Sequence, residues 1–208
     1  MEELKESLKK AWNFIWNDNS IWSWIVNIIL AFVLIKFVVY PGLGFLLRTS
    51  HPVVAVVSES MEHDAGFDEW WQKAGNWYNE NNIKKEYFNG FSLKNGFNKG
   101  DIMVLKGKKP VDIKAGDVIV FWSAKRDPII HRVVKKFGSG SAYYFQTKGD
   151  NYKTNPASIK SPFLDETNIS ESQIVGNAIL RIPLLGYLKI WFVDLINWTQ
   201  AKYLYIIG

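Results

Sequence analysis

Ser60, His131 and Asp150 are the side chains whose type and setting admit chemistry. Ser60 closes the stretch Val56-Val57-Ser58-Glu59-Ser60-Met61, so its hydroxyl leaves an apolar run with a fixed backbone beside it. His131 lies inside Ile129-Ile130-His131-Arg132-Val133-Val134, and Asp150 follows another run in Thr147-Lys148-Gly149-Asp150-Asn151. Taken singly, each has an ordinary structural role: a serine at a strand end satisfies a turn, a lone histidine in an apolar strand is a hydrogen-bonded core residue, and an aspartate makes an Asx-turn. Composition narrows the choices. The chain has no Cys, which removes disulfides, thiol nucleophiles and Cys-ligated zinc together. A hydrolase of this composition must use Ser, Thr, a carboxylate or a metal-bound water. The histidines His51, His63 and His131 have no spacing that sets two on one helix face, so no metal and no cofactor is expected.

The elements that carry these residues read as strands. Short apolar runs at 53–57, 102–105, 118–122, 129–134, 143–147 and 174–182 are each bounded by turn residues, and Gly138-Ser139-Gly140 reads as a hairpin tip. The fold class is therefore mainly β: an antiparallel, curled sheet or open barrel over residues 52–182. Residues 62–98 interrupt it. There Trp70, Trp71, Trp77 and Tyr78 stand among Asn, Glu and Lys, as a short amphipathic helix with irregular chain. Two readings stay open for this insertion: a satellite core beneath a loop, or a surface that dips into a membrane interface.

The ends differ from the middle. Residues 21–40 are apolar apart from Lys36, Asn27 and Ser23, and at ~1.5 Å per residue they span about 30 Å, the hydrocarbon thickness of a bilayer. This is the expected transmembrane helix. Residues 1–20 carry Leu4, Leu8, Trp12, Ile15 and Trp16 at helical spacing and form an amphipathic segment suited to the membrane surface. Lys5, Lys9 and Lys10 on that side lean toward a cytoplasmic N-terminus and an external body. Residues 183–208 form a C-terminal apolar helix, either interfacial or a second span; Asp194 disfavours the span. The net charge of +5 is modest and the lysines form no dense run, so the bilayer is an expected partner and nucleic acid is not.

The order of the short motifs carries a resemblance. Ser58-x-Ser60-Met61-Glu62, Lys99-Gly100-Asp101-Ile102, Ile130-His131-Arg132-Val133 and Thr147-Lys148-Gly149-Asp150-Asn151 resemble the successive boxes of the type I signal peptidases. Ile174-Val175-Gly176, running on to Ile182-Pro183-Leu184-Leu185-Gly186, resembles the family's closing strand. A histidine at 131, where bacterial members place a lysine, resembles the archaeal and endoplasmic-reticulum branch. The chemistry agrees, because a free imidazole titrates near about 6.5 and is largely neutral at pH 7.

The resemblance implies a membrane-bound serine endopeptidase that removes N-terminal signal peptides from exported preproteins. It implies Ser60 as nucleophile, His131 as general base, and an oxyanion hole from the Ser60 N–H and the Ser58 hydroxyl. Val53, Val54, Ala55, Val56 and Val57 become the edge that pairs with an extended substrate. The implied partners are signal peptides and the bilayer, with accessory subunits left open. The implied location is the cell membrane, or the endoplasmic reticulum membrane in a eukaryote, with the catalytic domain on the external or lumenal face. Departures from the pattern accompany it: Glu59 stands where the family has Gly, His63 where it has Pro, and Asn155 nearest the place of a further Asp that is a candidate to orient the histidine. Asp150 is the first candidate for that role and Asp165 the second. These departures motivate an alternative, a non-catalytic membrane-tethered β module that binds extended peptides or partner subunits.

Overall fold

A computed structural model describes residues 1–139, 142–187 and 190–191. The chain divides into two compact units, with the break after Leu46. The first opens with helix α1 (Glu2–Trp16), which is followed by α2 (Ile21–Leu34). The last carbonyls of a helix have no partner within it. Here α2 supplies them: Ser23 Oγ donates to Phe14 O at 2.6 Å and Asn27 Nδ2 to Ile15 O at 2.9 Å. This explains a polar amide within an apolar helix. Ser20 caps α2 by accepting from the Ser23 N–H.

The helix does not stop at Tyr40. It widens into a π-turn over Ile35–Val39 and continues as α3 (Tyr40–Leu47), making one apolar helix of 27 residues, Ile21–Leu47. Pro41 is the physical reason for the widening. A proline lacks the N–H for the ladder and its ring clashes with the carbonyl four residues back. The Tyr40 N–H instead reaches Ile35 O, and this slipped register lets the helix pass the proline.

The second unit holds an antiparallel sheet. Its strands are β1 (Val53–Ala55), then, after α4 (Phe67–Glu80) and α5 (Lys85–Asn89), β2 (Ile102–Lys106), β3 (Val118–Phe121), β4 (Ile129–Ser139) and β5 (Ala142–Lys148). A small pair follows, β6 (Lys160–Ser161) and β7 (Leu164–Asp165), then β8 (Ile169–Ser170) and β9 (Ile174–Ile182). The main sheet has seven strands in the order β1-β2-β9-β3-β4-β5-β8. Register shifts at Val104/Leu105, Val120/Phe121 and Val133/Lys135 bend it. The sheet is thus a curled half-barrel with β1 on one free edge.

Alternation along the central strands feeds separate cores. On β3, Val118 and Val120 pack with Val56, Met61, Phe97 and Met103, whereas Ile119 and Phe121 pack with Val133, Phe145, Leu164 and Ile169. The insertion builds a third cluster, in which Trp70, Tyr78 and Phe88 are wholly buried together with Trp71, Ile83 and Val134 of β4. The satellite-core reading of residues 62–98 is the one this packing supports. Of the C-terminal helix expected over 183–208, Tyr187, Ile190 and Trp191 are helical; the rest of that expectation lies outside the described residues.

Candidate active site

Neighbouring residues on a strand face opposite ways, and β4 uses this to separate two jobs. His131 pairs across to Ile119 and Arg132 to Val118, so the imidazole lies on the side of Ile119, Phe121 and Val133, and the guanidinium on the side of the insertion. His131 is 3% exposed. Its Nδ1 lies 2.5 Å from Glu166 Oε1. The same oxygen accepts from Thr147 Oγ1 at 2.8 Å, and Glu166 Oε2 accepts from the Ile159 N–H at 2.8 Å. Backbone bonds also pin Glu166, since its N–H donates to Ile159 O and its carbonyl accepts from the Thr147 N–H. Burial pushes the Glu166 carboxyl up, but the bond and charge of His131, with the Ile159 and Thr147 bonds, bring it below the usual glutamate range.

Ser60 lies in the turn after β1. Its hydroxyl is 3.1 Å from that of Ser58. The Ser60 carbonyl accepts from the Asn151 N–H and the Glu59 carbonyl from Asn151 Nδ2, both at 2.9 Å. The Gly149-Asp150-Asn151 segment therefore grips the backbone of Ser60. Gly149 permits the approach: a Cβ there would stand 2.7 Å from Ser60 O. Glu59 is exposed, so the acid beside Ser60 turns to solvent. Ser58, Ser60, His131 and Asn155 line one cavity of about 340 Å³, whose apolar wall includes Ala55, Val56, Ile130 and Leu164. Among the described residues, no direct hydrogen bond joins Ser60 to His131; such bonds often tighten only when substrate is bound.

The expected acids sit elsewhere. Asp150 is fully buried and accepts from Arg132 Nε and Nη2, the latter at 2.6 Å, and from Tyr78 Oη at 2.9 Å. The remaining guanidinium hydrogens go to Ser92 O, Leu93 O and Gly116 O. With its oxygens on the insertion side of β4, Asp150 is the partner of Arg132, not of His131. His63, which stands where the family has Pro, belongs to this cluster too: its ring stacks on Trp70 at 3.8 Å and its Nε2 is 3.5 Å from Asp150 Oδ2. Asp165 is exposed and accepts from the Thr167 N–H and hydroxyl, a turn role. Asn155 is buried and accepts from Thr154 Oγ1. Val53, Val54 and Ala55 form the edge strand β1, Val56 turns into the core, and Val57 is exposed. No cluster of metal-ligating side chains occurs among the described residues.

Sequence reasoning passed over Glu166. It directly follows β7, and its burial comes from contacts with His131, Thr147 and Ile159 that the sequence does not announce.

No family model matches the chain. It is similar to the signal peptidase complex catalytic subunit SEC11 of Colletotrichum graminicola, 26% identical over 185 residues, which cover 86% of this chain and 87% of that one. The SEC11 of Pyricularia oryzae matches to the same extent. That of Metarhizium robertsii is 30% identical over 119 residues, 56% of this chain and 67% of the relative. The agreement runs through most of a curled β domain behind an apolar helix, with Ser60 and His131 on one cavity. The chain belongs to the endoplasmic-reticulum branch of the type I signal peptidases, the serine endopeptidases that remove signal peptides.

Proposed function

We propose that this chain cleaves signal peptides with Ser60 as nucleophile and His131 as general base. The observation that carries the assignment is the shared cavity, with a serine held by its backbone on one side and a buried, carboxylate-bonded histidine on the other. His131 takes the Ser60 proton as Oγ attacks the scissile carbonyl, then returns it to the leaving amine. Water repeats the sequence on the acyl-enzyme. The Ser60 N–H and the Ser58 hydroxyl are the donors for the developing oxyanion, a contribution of about 3 kcal/mol per donor in comparable sites. The free edge of β1 offers backbone groups to an extended substrate, and Ala55, Val56 and Ile130 narrow the adjoining cavity to small side chains.

Asp150 acts one step removed in this reading, holding the segment that grips Ser60. The 27-residue helix Ile21–Leu47 anchors the chain in a membrane, and the β domain works on the lumenal or external face. The relatives are named as subunits of a complex, and accessory subunits are proposed as partners on that ground. The test is cleavage of a preprotein by the full chain in detergent or lipid. Ser60→Ala and His131→Ala are expected to abolish cleavage. Cutting by Ser60→Ala at the parent rate sinks the assignment and favours the peptide-binding alternative.

A further inference from the structure

We infer that Glu166 is the positioning acid of this enzyme, the group that fixes the tautomer and orientation of His131. The inference rests on the proposed Ser60–His131 pair and adds the third member to it. An ionised carboxylate only accepts hydrogen bonds, so its contact with His131 Nδ1 places the ring hydrogen on Nδ1. Nε2 then carries the lone pair and is the only ring atom able to take the Ser60 proton. When the proton arrives, the imidazolium lies against a negative charge already in place, in a site where water does not screen it.

Several features separate this contact from an incidental one. The Glu166 side chain is wholly buried, and a buried carboxylate persists only where its lone pairs are satisfied. The Thr147 hydroxyl and the Ile159 N–H satisfy those that His131 does not. Both anchors belong to the framework: Thr147 is on β5, beside β4, and Ile159 closes a backbone pair with Glu166 itself. The carboxylate is thus aimed, with little rotamer freedom left. The competing acids are engaged elsewhere, Asp150 with Arg132 and Tyr78 and Asp165 with Thr167. Asn155 lines the cavity but carries no charge to balance an imidazolium.

The deciding variant is Glu166→Gln. An amide cannot serve all three donors. If its oxygen meets His131 and Thr147, its NH₂ confronts the Ile159 N–H. If it flips, the NH₂ donates to Nδ1 and moves the ring hydrogen to Nε2, which then cannot accept from Ser60. Kinetics of the full chain in detergent, on a preprotein, are expected to show kcat reduced by about 10³–10⁴-fold, with KM changed far less. The acid limb of the kcat/KM profile shifts to lower pH, because no carboxylate stabilises the protonated ring. Glu166→Asp, a methylene shorter, recovers part of the rate. A parent-like rate and pH profile in Glu166→Gln overturns the inference, and so does a slower enzyme whose pH profile is unmoved. If thermal melting shows that Glu166→Gln fails to fold, Glu166→Asp carries the test: a moved acid limb supports the inference and an unmoved one overturns it. The underlying assignment fails in a different way, by Ser60→Ala or His131→Ala retaining the parent rate.

Discussion

Two buried carboxylates flank strand β4, and they face partners of opposite kinds. Asp150 meets Arg132, a cation at every accessible pH. Glu166 meets His131, the proposed general base of the reaction. Around Asp150 the chain adds an aromatic shell: Trp70 Nε1 donates to its carbonyl, Tyr78 to its carboxylate, and Phe88 lies under the guanidinium at 4.9 Å. Lys148 is buried against Trp77 and Tyr78, and desolvation pushes its ammonium down to about 8. Around Glu166 the partners are His131, the Thr147 hydroxyl and the Ile159 N–H, with no aromatic shell among the described residues. The difference teaches how one strand supports both stability and reaction. An ion pair sealed by aromatics makes a rigid back, and a carboxylate–histidine pair open to a cavity makes the front that is proposed to react.

The comparison breaks most visibly at Asp150. Asp150→Asn leaves the Arg132 charge buried without its counter-ion, and the expected loss is about 3–5 kcal/mol of unfolding free energy, measured by denaturant titration. The parent should also lose stability in acid. Burial raises the Asp150 carboxyl, but the Arg132 charge and bonds, with His63 beside it, hold it well below the usual aspartate range. A carboxyl lowered in the folded state contributes stability that is complete above its unfolded value, about 3.9, and is lost as pH falls below it. The acid-induced decline should therefore be shallower in Asp150→Asn. An equal decline in both proteins would remove Asp150 from the role of fixed counter-charge.

Tyr78→Phe tests the shell with a smaller change. It deletes a hydroxyl bonded to a buried carboxylate and should cost about 1.5–3 kcal/mol, with kcat little altered. A large kcat loss at unchanged stability would mean that the back of the strand takes part in the reaction. The smallest effect is expected at Asp165→Asn. Asp165 is next to Glu166 yet faces solvent, so stability should stay within about 0.5 kcal/mol, and cleavage should match the parent. A rate loss there comparable to that of Glu166→Gln would erase the distinction between the two neighbours.

The strands, the apolar helix and the order of the motifs were legible because each is a local pattern. Ser60 and His131 come from that order, and the structure lines one cavity with both. The partner of His131 was not legible, because β7 is two residues long and alternation needs more residues to stand out. Its contacts with Thr147 and Ile159 are also tertiary, and no local rule announces them. Asp150 drew attention as a motif acid, but β4 alternation puts Arg132, not His131, on its side. The insertion was half legible: its tryptophans suggest both a core and a membrane surface, and only the packing with Val134 and Phe88 decides. Residues 21–40 already match a bilayer in length, and the π-turn that carries the helix onward has no sequence signature of its own.

The bonds from Ser23 and Asn27 to the end of α1 bear on how the anchor enters a lipid bilayer. Hydrocarbon solvates neither an open helix end nor a lone amide, and each alone would be driven back toward water. Joined, they cancel: the carbonyls of Phe14 and Ile15 receive donors, and the polar groups of α2 receive acceptors. The joint between the helices, which carries Asn17, Asp18 and Asn19, therefore suits the headgroup level, the depth that indole rings such as Trp12 and Trp16 favour. Replacing Asn27 by an apolar residue would leave the Ile15 carbonyl open and loosen that joint, although α2 itself would become more apolar.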